Sequence, residues 1–388
     1  MPGAPFPDAA IASAANTVQA RRLTGETSVS ISVAAVVAAL GAAGIPVDEV
    51  DGMFGTLCGE VVYQLGLPAT TTSALDNTGI SSVVEAAAAV QAGICEVAVA
   101  VAGGAGQYVD RESTAPWTRP ENEWVAPFGL YTAVEFALVA RRHMHTYGTT
   151  PEHLATVAAT IRNSGHVNPE AVYFGRGPFS PEDILASRMV ADPFHLLDCA
   201  MTSEGGCAVV VTSLERARDA ATAPVRILGV GMDRLGPVYQ FPPMWDLAGT
   251  RVPGEVNGRI GRRAANKAFG MAGLHTADVD VCEFYDPFSF EIIRQFEAFG
   301  FCEPGEGGDF VSDGRIAAGG ALPTTTDGGL MSYSHAGRAQ MLQRIARGVH
   351  QIQGSCASNQ ARGAEVALCT NGGAGALFTD VMLLGVDS

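Results

Sequence analysis

Two stretches of the chain share one pattern of apolar and polar positions. Residues 96–106 read EVAVAVAGGAG and residues 365–375 read EVALCTNGGAG, and seven of the eleven positions are identical. In each stretch, an apolar run follows a glycine-containing turn and leads into a cluster of glycines. Each stretch is therefore predicted to form a buried strand that ends in a tight turn.

The segments before these two predicted strands match as well. TGISSVVEAAAAVQAG (78–93) and HAGRAQMLQRIARGVHQIQG (335–354) both have high helix propensity and end in glycine. Further back, PVDEVDGMFG (46–55) and ADVDVCEFYDPF (277–288) each predict a short apolar strand after an Asp-containing turn. Because this order occurs twice, we predict an α/β protein with parallel strand pairing and two similar halves in a layered αβαβα body.

A segment of the first half, residues 107–200, has no counterpart in the second. It contains two helix starts, in which Thr150 precedes Pro151 and Ser180 precedes Pro181. Long insertions in α/β proteins commonly contact substrate, and we expect the same of this one. The predicted units are thus an N-terminal half of residues 1–106 and 201–235, an inserted loop domain of residues 107–200 and a C-terminal half of residues 236–388.

Composition narrows the classes of function. The 388 residues are 47% hydrophobic, which is enough for a large core, and the net charge is −16. That charge disfavours nucleic acids and anionic membranes as partners. No apolar run approaches the ~20 residues of a membrane span, and the N-terminus MPGAPFPDAAIASAANT lacks the basic region of a signal peptide. We expect a cytoplasmic location.

The residues that could bind metals or cofactors are few. The eight cysteines contain no C-x-x-C pair, so neither a zinc site nor a disulfide framework is indicated. His143 and His145 point apart on a helix and are expected at the surface. Lys267 is the single lysine and a poor Schiff-base candidate, since its helical-looking surroundings offer no apolar pocket. We therefore expect no bound cofactor and no metal.

Seven motifs, spread over nearly the whole chain, are informative when they are taken together. They are DEVDGMFG (48–55), NTGISS (77–82), YGTTPEHLATVAATIRNSGHVNP (147–169), FHLLDCAMTSEGG (194–206), FYDPFSFEIIRQFEAFGFC (284–302), TTTDGGLMSYSHAG (324–337) and ALCTNGGAG (367–375). Together they resemble the thiolase superfamily, and within it the sterol carrier protein-type thiolases and their lipid-transfer-protein relatives. The resemblance implies the thiolase fold.

One departure from that family concerns its nucleophile. Where working thiolases have a catalytic cysteine in a Cys-x-x-Gly setting, this chain has DNTG, which places Asp76 there. A carboxylate is a poor replacement for a thiolate in acyl transfer. Claisen condensation through an acyl-cysteine is therefore not expected. Asp76 has either a supporting catalytic role or the role of a polar helix cap.

Other positions keep the residues that the family uses to activate a thioester. His335 matches the histidine of its Gly-His-Pro element, Cys369 its second cysteine, and Gly372, Gly373 and Gly375 its oxyanion-hole loop. Such a hole stabilises the enolate of a coenzyme A thioester whether or not an acyl-enzyme forms. Cys369 could equally be a small buried residue at the end of a strand.

Two tyrosines complete the candidate site. Tyr285 in FYDPF stands where the family has a polar catalytic residue, and Tyr333 lies two residues before His335. In an extended segment, residues two apart share a face. A phenol can donate a proton or take one from a hydroxyl group. This pair suits a retro-aldol reaction, in which one tyrosine takes the β-hydroxyl proton and the other protonates the enolate.

The lost nucleophile together with these tyrosines resembles the thiolase-fold aldolases of bacterial steroid side-chain degradation. The resemblance implies a metal- and Schiff-base-independent carbon–carbon lyase. Its substrate would be a 17-hydroxy steroid with a three-carbon coenzyme A side chain, cleaved to a 17-ketosteroid and propionyl-CoA. The resemblance also implies a small partner protein with zinc-ribbon and OB-type domains, and a homodimer whose contact has residues 96–106 near its centre.

Two other classes of function remain open from the sequence. One is an acyl-CoA acyltransferase with another nucleophile, which the aspartate at position 76 disfavours. The other is a non-catalytic acyl-CoA- or lipid-binding homologue, which the retained His335, Cys369 and glycine loop disfavour. Cleavage of a β-hydroxyacyl-CoA to a shorter acyl-CoA and a ketone distinguishes the aldolase from both.

Overall fold

The structure is a computed structural model that describes residues 4–67, 70–73, 78–106, 132–234, 259–373 and 378–387. Its strands are β1 Ala9–Asn16, β2 Gly52–Gly55, β3 Thr71–Ser73, β4 Val97–Gly104, β5 Met189–Ala191, β6 Phe194–His195, β7 Gly205–Ser213, β8 Val225–Arg234, β9 Val281–Glu283, β10 Val366–Gly373 and β11 Phe378–Val386. Its α-helices are α1 Ser28–Ala43, α2 Cys58–Leu65, α3 Gly79–Gln91, α4 Thr132–Tyr147, α5 Pro151–His166, α6 Pro181–Ala186, α7 Leu214–Arg218, α8 Arg262–Ala272, α9 Ser289–Phe299, α10 Gly307–Phe310 and α11 Ala339–Gln353. A π-helical turn spans Gly329–Tyr333.

Nine strands form one mixed sheet in the order β3-β2-β4-β7-β1-β8-β11-β10-β9. β4 is parallel to β2, and β10 is parallel to β9, as the strand–helix–strand order predicts. The neighbours on the other side, β7 and β11, run antiparallel, so the expectation of parallel pairing holds only in part. The two halves of the sheet meet at β1 and β8, which pair through Ile11 and Val225.

The internal repeat is a structural duplication. β4 and β10, the two repeated strands, each lie between one parallel and one antiparallel neighbour. Asp51 accepts hydrogen bonds from the two N–H groups at the start of the first EVA sequence, both at 2.9 Å. Asp280 accepts those at the start of the second, at 2.8 and 2.9 Å. In both halves, an aspartate therefore binds the backbone at the start of the repeated strand.

Alternating side chains divide the core into layers. Along β4, Val97, Val99 and Val101 face α1, whereas Ala98 and Ala100 face α3 and α11. On β10 and β11 one face also contacts α11, and the other contacts α8 and α9. α3 and α11 thus lie between the two half-sheets, with α1 outside one half and α8 and α9 outside the other. The predicted αβαβα layering is confirmed.

The first repeated strand lies in the interior of the protomer. β2 and β7 pair with the two edges of β4, and the side chains from Val97 to Val101 are fully buried. A strand that is paired on both edges and covered on both faces offers no surface to a second copy. The prediction that residues 96–106 lie near the centre of a two-fold contact is therefore wrong. An outer strand of the described sheet is β3, whose Thr71 and Thr72 are exposed.

The described helices of the inserted segment cover the second half of the sheet. α5 starts at Pro151 and α6 at Pro181, as predicted, and the Ser180 hydroxyl accepts the N–H of Asp183 at 3.2 Å. α5 packs against α9 and against the π-helical turn. The aromatic ring of Phe288 lies 5.0 Å from that of Phe136 in α4.

The two histidines of α4 have different surroundings. His145 is exposed, but His143 is only 6% exposed, and its Nε2 lies 2.7 Å from Glu297 Oε2. The prediction that both lie at the surface is therefore wrong for His143, because a carboxylate of α9 satisfies its imidazole inside the core.

Lys267 is exposed on α8. Within the described ranges no group of three His, Cys, Asp or Glu residues could hold a metal, and no helix is long and apolar enough to cross a membrane.

Candidate active site

Tyr285 lies two residues after the end of β9, and hydrogen bonds hold its backbone on both sides. Its N–H donates to Thr370 Oγ1 of β10 at 2.8 Å, and its carbonyl accepts from Gln295 Nε2 of α9 at 2.7 Å. Thr370 Oγ1 in turn donates to Gln295 Oε1 at 2.6 Å, which closes a ring of three residues. The Tyr285 side chain is 6% exposed. These three hydrogen bonds, here called the Thr370–Gln295 clamp, fix the backbone of Tyr285 and thereby the direction of its side chain.

The glycines at the end of β10 make room for the Tyr285 ring. A Cβ at Gly372 would lie 2.9 Å from Tyr285 Cδ1, and a Cβ at Gly373 would lie 3.8 Å from its hydroxyl oxygen. The structure therefore brings two of the predicted loop glycines together with Tyr285. Gly375, the third, lies outside the described residues.

Tyr333 is the last residue of the π-helical turn Gly329–Tyr333 and is 1% exposed. Its N–H donates to the Gly328 carbonyl at 3.2 Å. The rule that residues two apart share a face holds for extended backbone, which begins only at Ser334, so it does not apply to Tyr333 and His335. Burial, with the charges of Asp327 and Glu170 adding to it, raises the pKa of Tyr333 well above its ordinary value. The phenol is protonated at neutral pH.

The inserted helix α5 supports the turn that carries Tyr333. The fully buried Arg162 donates from Nη1 to the Met331 carbonyl at 2.8 Å, and from Nε and Nη2 to the carbonyls of Leu197 and Cys199 at 2.7 and 2.8 Å. A Cβ at Gly165 would overlap the side chain of Ser332. The close approach of α5 therefore requires glycine at that position.

Asp286 joins the two tyrosine-bearing segments. Its carboxylate accepts hydrogen bonds from the backbone N–H groups of Leu330, at 2.8 Å, and Met331, at 3.2 Å. Burial raises the pKa of Asp286 to about 8, and the Arg344 guanidinium and these two N–H groups act in the opposite direction. The residue next to Tyr285 thus binds the turn that ends in Tyr333.

Buried charges of α11 adjoin this carboxylate. Arg344 donates to both carboxylate oxygens of Asp327, at 2.8 and 2.6 Å, and its Nη1 lies 3.5 Å from Glu283. Burial alone would raise the pKa of Asp327, but Arg344, together with Arg347 and the N–H of Gly329, holds it below its usual value. For Glu283, burial and the Asp327 charge raise the pKa to about 7. Arg344 thus binds both Glu283 of β9 and Asp327, which precedes the π-helical turn.

His335 lies on the extended segment after the turn. Its N–H donates to Ser203 Oγ at 2.7 Å, and its carbonyl accepts from the Ser203 N–H at 3.3 Å. Burial lowers the pKa of the imidazole to about 4, against an opposing hydrogen bond with the Met201 backbone. The ring is therefore neutral at pH 7 and has one N–H, which it can donate either to Met201 or to a substrate oxygen.

Cys369 belongs to a different layer of the core from Tyr285. Its thiol is fully buried between β10 and α11, where a Cβ at Gly348 would overlap the sulfur. Burial raises the pKa of the thiol far above its ordinary value, so the nucleophilic thiolate is disfavoured.

Asp76 lies outside the described residues. At the start of α3, which follows it, the N–H of Ile80 donates to Asn371 Oδ1 at 2.8 Å.

The sequence reasoning missed Asp286, Arg162 and the Thr370–Gln295 clamp. Asp286 stands beside Tyr285 in the quoted FYDPF motif, so its position was visible although its role was not. The partners of Arg162 are carbonyl groups at sequence separations of 35, 37 and 169 residues. A single sequence carries no signal for such contacts.

Comparison with known proteins places this site in a family. A family model described as thiolase C-terminal domain-like matches residues 256–386. A protein of Thermomonospora curvata named steroid side-chain-cleaving aldolase is 30% identical over 98% of this chain and 99% of its own length. The chain belongs to the thiolase superfamily.

Two further comparisons narrow the branch of the superfamily. A Mycobacterium tuberculosis protein named 17-hydroxy-3-oxo-4-pregnene-20-carboxyl-CoA lyase is 33% identical over 90% of this chain and 92% of its own. A solved structure named Ltp2-ChsH2(DUF35) aldolase superposes with a TM-score of 0.84 at 30% identity, over 98% of this chain and 99% of that one. This thiolase-superfamily chain is therefore similar along its whole length to proteins named as aldolases and lyases. The resemblance drawn from the motifs is confirmed.

Proposed function

We propose that this protein cleaves the Cα–Cβ bond of a β-hydroxyacyl-CoA thioester in a retro-aldol reaction. The substrate is a 17-hydroxy steroid with a three-carbon coenzyme A side chain, and the products are a 17-ketosteroid and propionyl-CoA. The observation that carries this proposal is the full-length similarity to the steroid side-chain-cleaving aldolase of Thermomonospora curvata. The similarity to the Mycobacterium tuberculosis lyase, whose name contains such a substrate, supports it.

The two tyrosines supply the proton transfers of this reaction. Tyr333 is the proton donor, because burial keeps its phenol protonated. Tyr285 reacts as the phenolate: it takes the proton of the β-hydroxyl as the Cα–Cβ bond breaks and the hydroxyl carbon becomes a ketone. Tyr333 protonates Cα of the enolate that remains on the thioester. Return of a proton from Tyr285 to Tyr333 restores the starting state.

The enolate oxygen requires hydrogen-bond donors where its charge develops. His335 supplies its single N–H if a thioester oxygen replaces the Met201 carbonyl as acceptor. We assign one backbone N–H of the glycine loop as the other donor. The N–H groups of Gly372 and Gly373 point to opposite edges of β10, and the donor is the one that does not face β11. Asp76 retains a supporting role in the proposal, as does Cys369, which shapes the β10–α11 contact without bonding to substrate.

The proposal extends to assembly. We propose that a DUF35-type partner with zinc-ribbon and OB-type domains binds this chain, since the similar solved structure is named as an Ltp2–ChsH2(DUF35) aldolase. We also propose a homodimer, whose contact cannot involve the interior strand β4. Light scattering at micromolar concentration checks this, and a monomeric mass contradicts it.

The function is tested with the named substrate of the lyase relative. The chain, purified alone and with a DUF35 protein from the same genome, is incubated with 17-hydroxy-3-oxo-4-pregnene-20-carboxyl-CoA, and products are separated by liquid chromatography and mass spectrometry. We expect propionyl-CoA and a 17-ketosteroid in equal amounts. Intact substrate after incubation with the partner contradicts the proposal.

A further inference from the structure

The turn that carries Tyr333 is bound from two opposite sides. On one side, Asp286 accepts the N–H groups of Leu330 and Met331. On the other side, Arg162 donates to the Met331 carbonyl at 2.8 Å. The first N–H groups of a helical turn have no partner within the turn, and buried N–H groups without partners are costly. Asp286 therefore supplies acceptors that the buried turn needs.

The approach of Asp286 to the turn is close enough to restrict the sequence. A Cβ at Gly329, the first residue of the turn, would overlap the Asp286 carboxylate, and the φ of Gly329 is +58°. Asp286 is fully buried, so no solvent competes for these hydrogen bonds. The carboxylate and the turn thus form one packed unit.

Asp286 also has a fixed position relative to Tyr285. The two are consecutive, and the Tyr285 backbone is bonded on both sides, to Thr370 and to Gln295. A displacement of the turn with respect to Asp286 is therefore a displacement of Tyr333 with respect to Tyr285.

We propose that Asp286 is a positioning residue, whose two carboxyl oxygens hold the Tyr333 turn at a fixed place relative to the Tyr285 loop. The catalytic consequence of this inference rests on the proposed retro-aldol function, whereas the structural part does not. Asp286 itself neither contacts substrate nor transfers a proton. Its replacement changes the geometry of proton transfer and leaves the transferring groups present.

The chain offers a matched control for Asp286. Asp280 precedes the same strand, β9, and its carboxylate also accepts two backbone N–H groups, at 2.8 and 2.9 Å, but at the opposite end of the strand. Asp280→Asn makes the same change of atoms and controls for the substitution itself. The exposed Asp280 accepts both N–H groups on Oδ2, so an asparagine can keep them, whereas the buried Asp286 accepts one N–H on each oxygen and its asparagine must lose one. Only Asp286 is adjacent to the tyrosine-bearing segments.

The kinetic test combines these variants with Tyr333→Phe. Asp286→Asn should lower kcat about 100-fold, as misplacement of a catalytic group by about 1 Å can, with KM changed less than about threefold. Asp280→Asn should leave kcat within about twofold of wild type. In the Tyr333→Phe background, Asp286→Asn should lower kcat by less than about threefold, because the group that it positions is already absent. Equal losses in the two aspartate variants, or fully multiplicative losses with Tyr333→Phe, overturn the proposal.

Hydrogen exchange provides a readout that does not depend on activity. In Asp286→Asn, peptides that contain Leu330 and Met331 should exchange faster than in wild type, whereas in Asp280→Asn they should not. Unchanged exchange at these amides overturns the proposal. If Asp286→Asn does not fold, Gly329→Ala displaces the same carboxylate and is expected to give the same exchange pattern. If wild type cleaves no substrate, the proposed function fails, and the exchange result alone decides whether Asp286 positions the turn.

Discussion

Asp286 accepts a hydrogen bond from the backbone N–H of Leu330 at 2.8 Å and thereby ties the segment of Tyr285 to the turn of Tyr333. The two residues are 44 positions apart in the sequence. Through this contact, the motifs FYDPF and SYSHAG become parts of one site. The proposed proton transfers depend on the two phenols.

Tyr285→Phe and Tyr333→Phe should each lower kcat sharply and leave the fold intact. Each change removes one oxygen and keeps the ring. Since general acid–base catalysis contributes about 10²–10⁴-fold, a loss in that range is expected from steady-state kinetics. Losses in the double variant should be smaller than the product of the single losses. Tyr63→Phe, at an 82% exposed position, is the control and should be neutral. Near-normal turnover in both site variants would show that the tyrosines are structural.

Cys369→Ser should retain most of the activity. The thiol faces α11, and burial keeps it protonated, so no acyl group is transferred to it. After exposure to substrate, mass spectrometry should show the unmodified chain mass. An acylated peptide that contains Cys369 would contradict this and favour an acyltransferase.

Gly372→Ala should lower kcat because the new methyl group displaces the Tyr285 ring. The added Cβ would lie 2.9 Å from Cδ1 of the ring, which is too close for carbon atoms. The expected loss is about 100-fold, as for a misplaced catalytic group. The control is Gly270→Ala in α8, where a Cβ has no atom within 4 Å and helix propensity favours alanine. Equal kcat values for the two variants would show that the ring position does not matter.

The contribution of His335 to the stability of the fold should decrease in acid, whereas Asp286 and Glu283, whose pKa values are raised, act in the opposite direction. The folded pKa of His335, about 4, lies below the ordinary value of 6.5, so the folded state favours the neutral ring. This contribution to the free energy of unfolding is fully present above pH 6.5 and is lost as the pH falls from 6.5 towards 4. Urea unfolding at several pH values should show that His335→Asn loses less stability than wild type over this window. The half-buried His350, whose pKa desolvation also lowers, accounts for part of the remaining slope. Identical pH dependence in both proteins would contradict the assignment.

The parts of the fold that could be predicted from the sequence are those that depend on local signals. The repeated EVA strands, the Asp-containing turns before β2 and β9 and the helix starts at Pro151 and Pro181 follow from residues close to one another in the chain. The antiparallel direction of β7 and β11 beside β4 and β10 could not be predicted in this way. Strand direction depends on connections between distant segments, which a local pattern does not encode.

The candidate site was predictable in its residue types but not in its contacts. Tyr285 and Tyr333 stand in recognisable motifs, yet the π-helical turn of Tyr333 requires acceptors from Asp286 and donors from Arg162, which are distant in sequence. His143 gives the same lesson, because Glu297, which permits its burial, lies 154 residues away. Burial of a polar group depends on a partner that one sequence does not identify.

The measurement that tests the central claim most directly is the cleavage of the 17-hydroxy steroid CoA ester in deuterium oxide, without added coenzyme A. Retro-aldol cleavage leaves an enolate that takes one solvent proton at Cα, so the propionyl-CoA should carry a single deuterium at C2 and should form without free coenzyme A. Propionyl-CoA incubated alone with the protein controls for later exchange. A requirement for free coenzyme A, or propionyl-CoA without deuterium, would contradict the account.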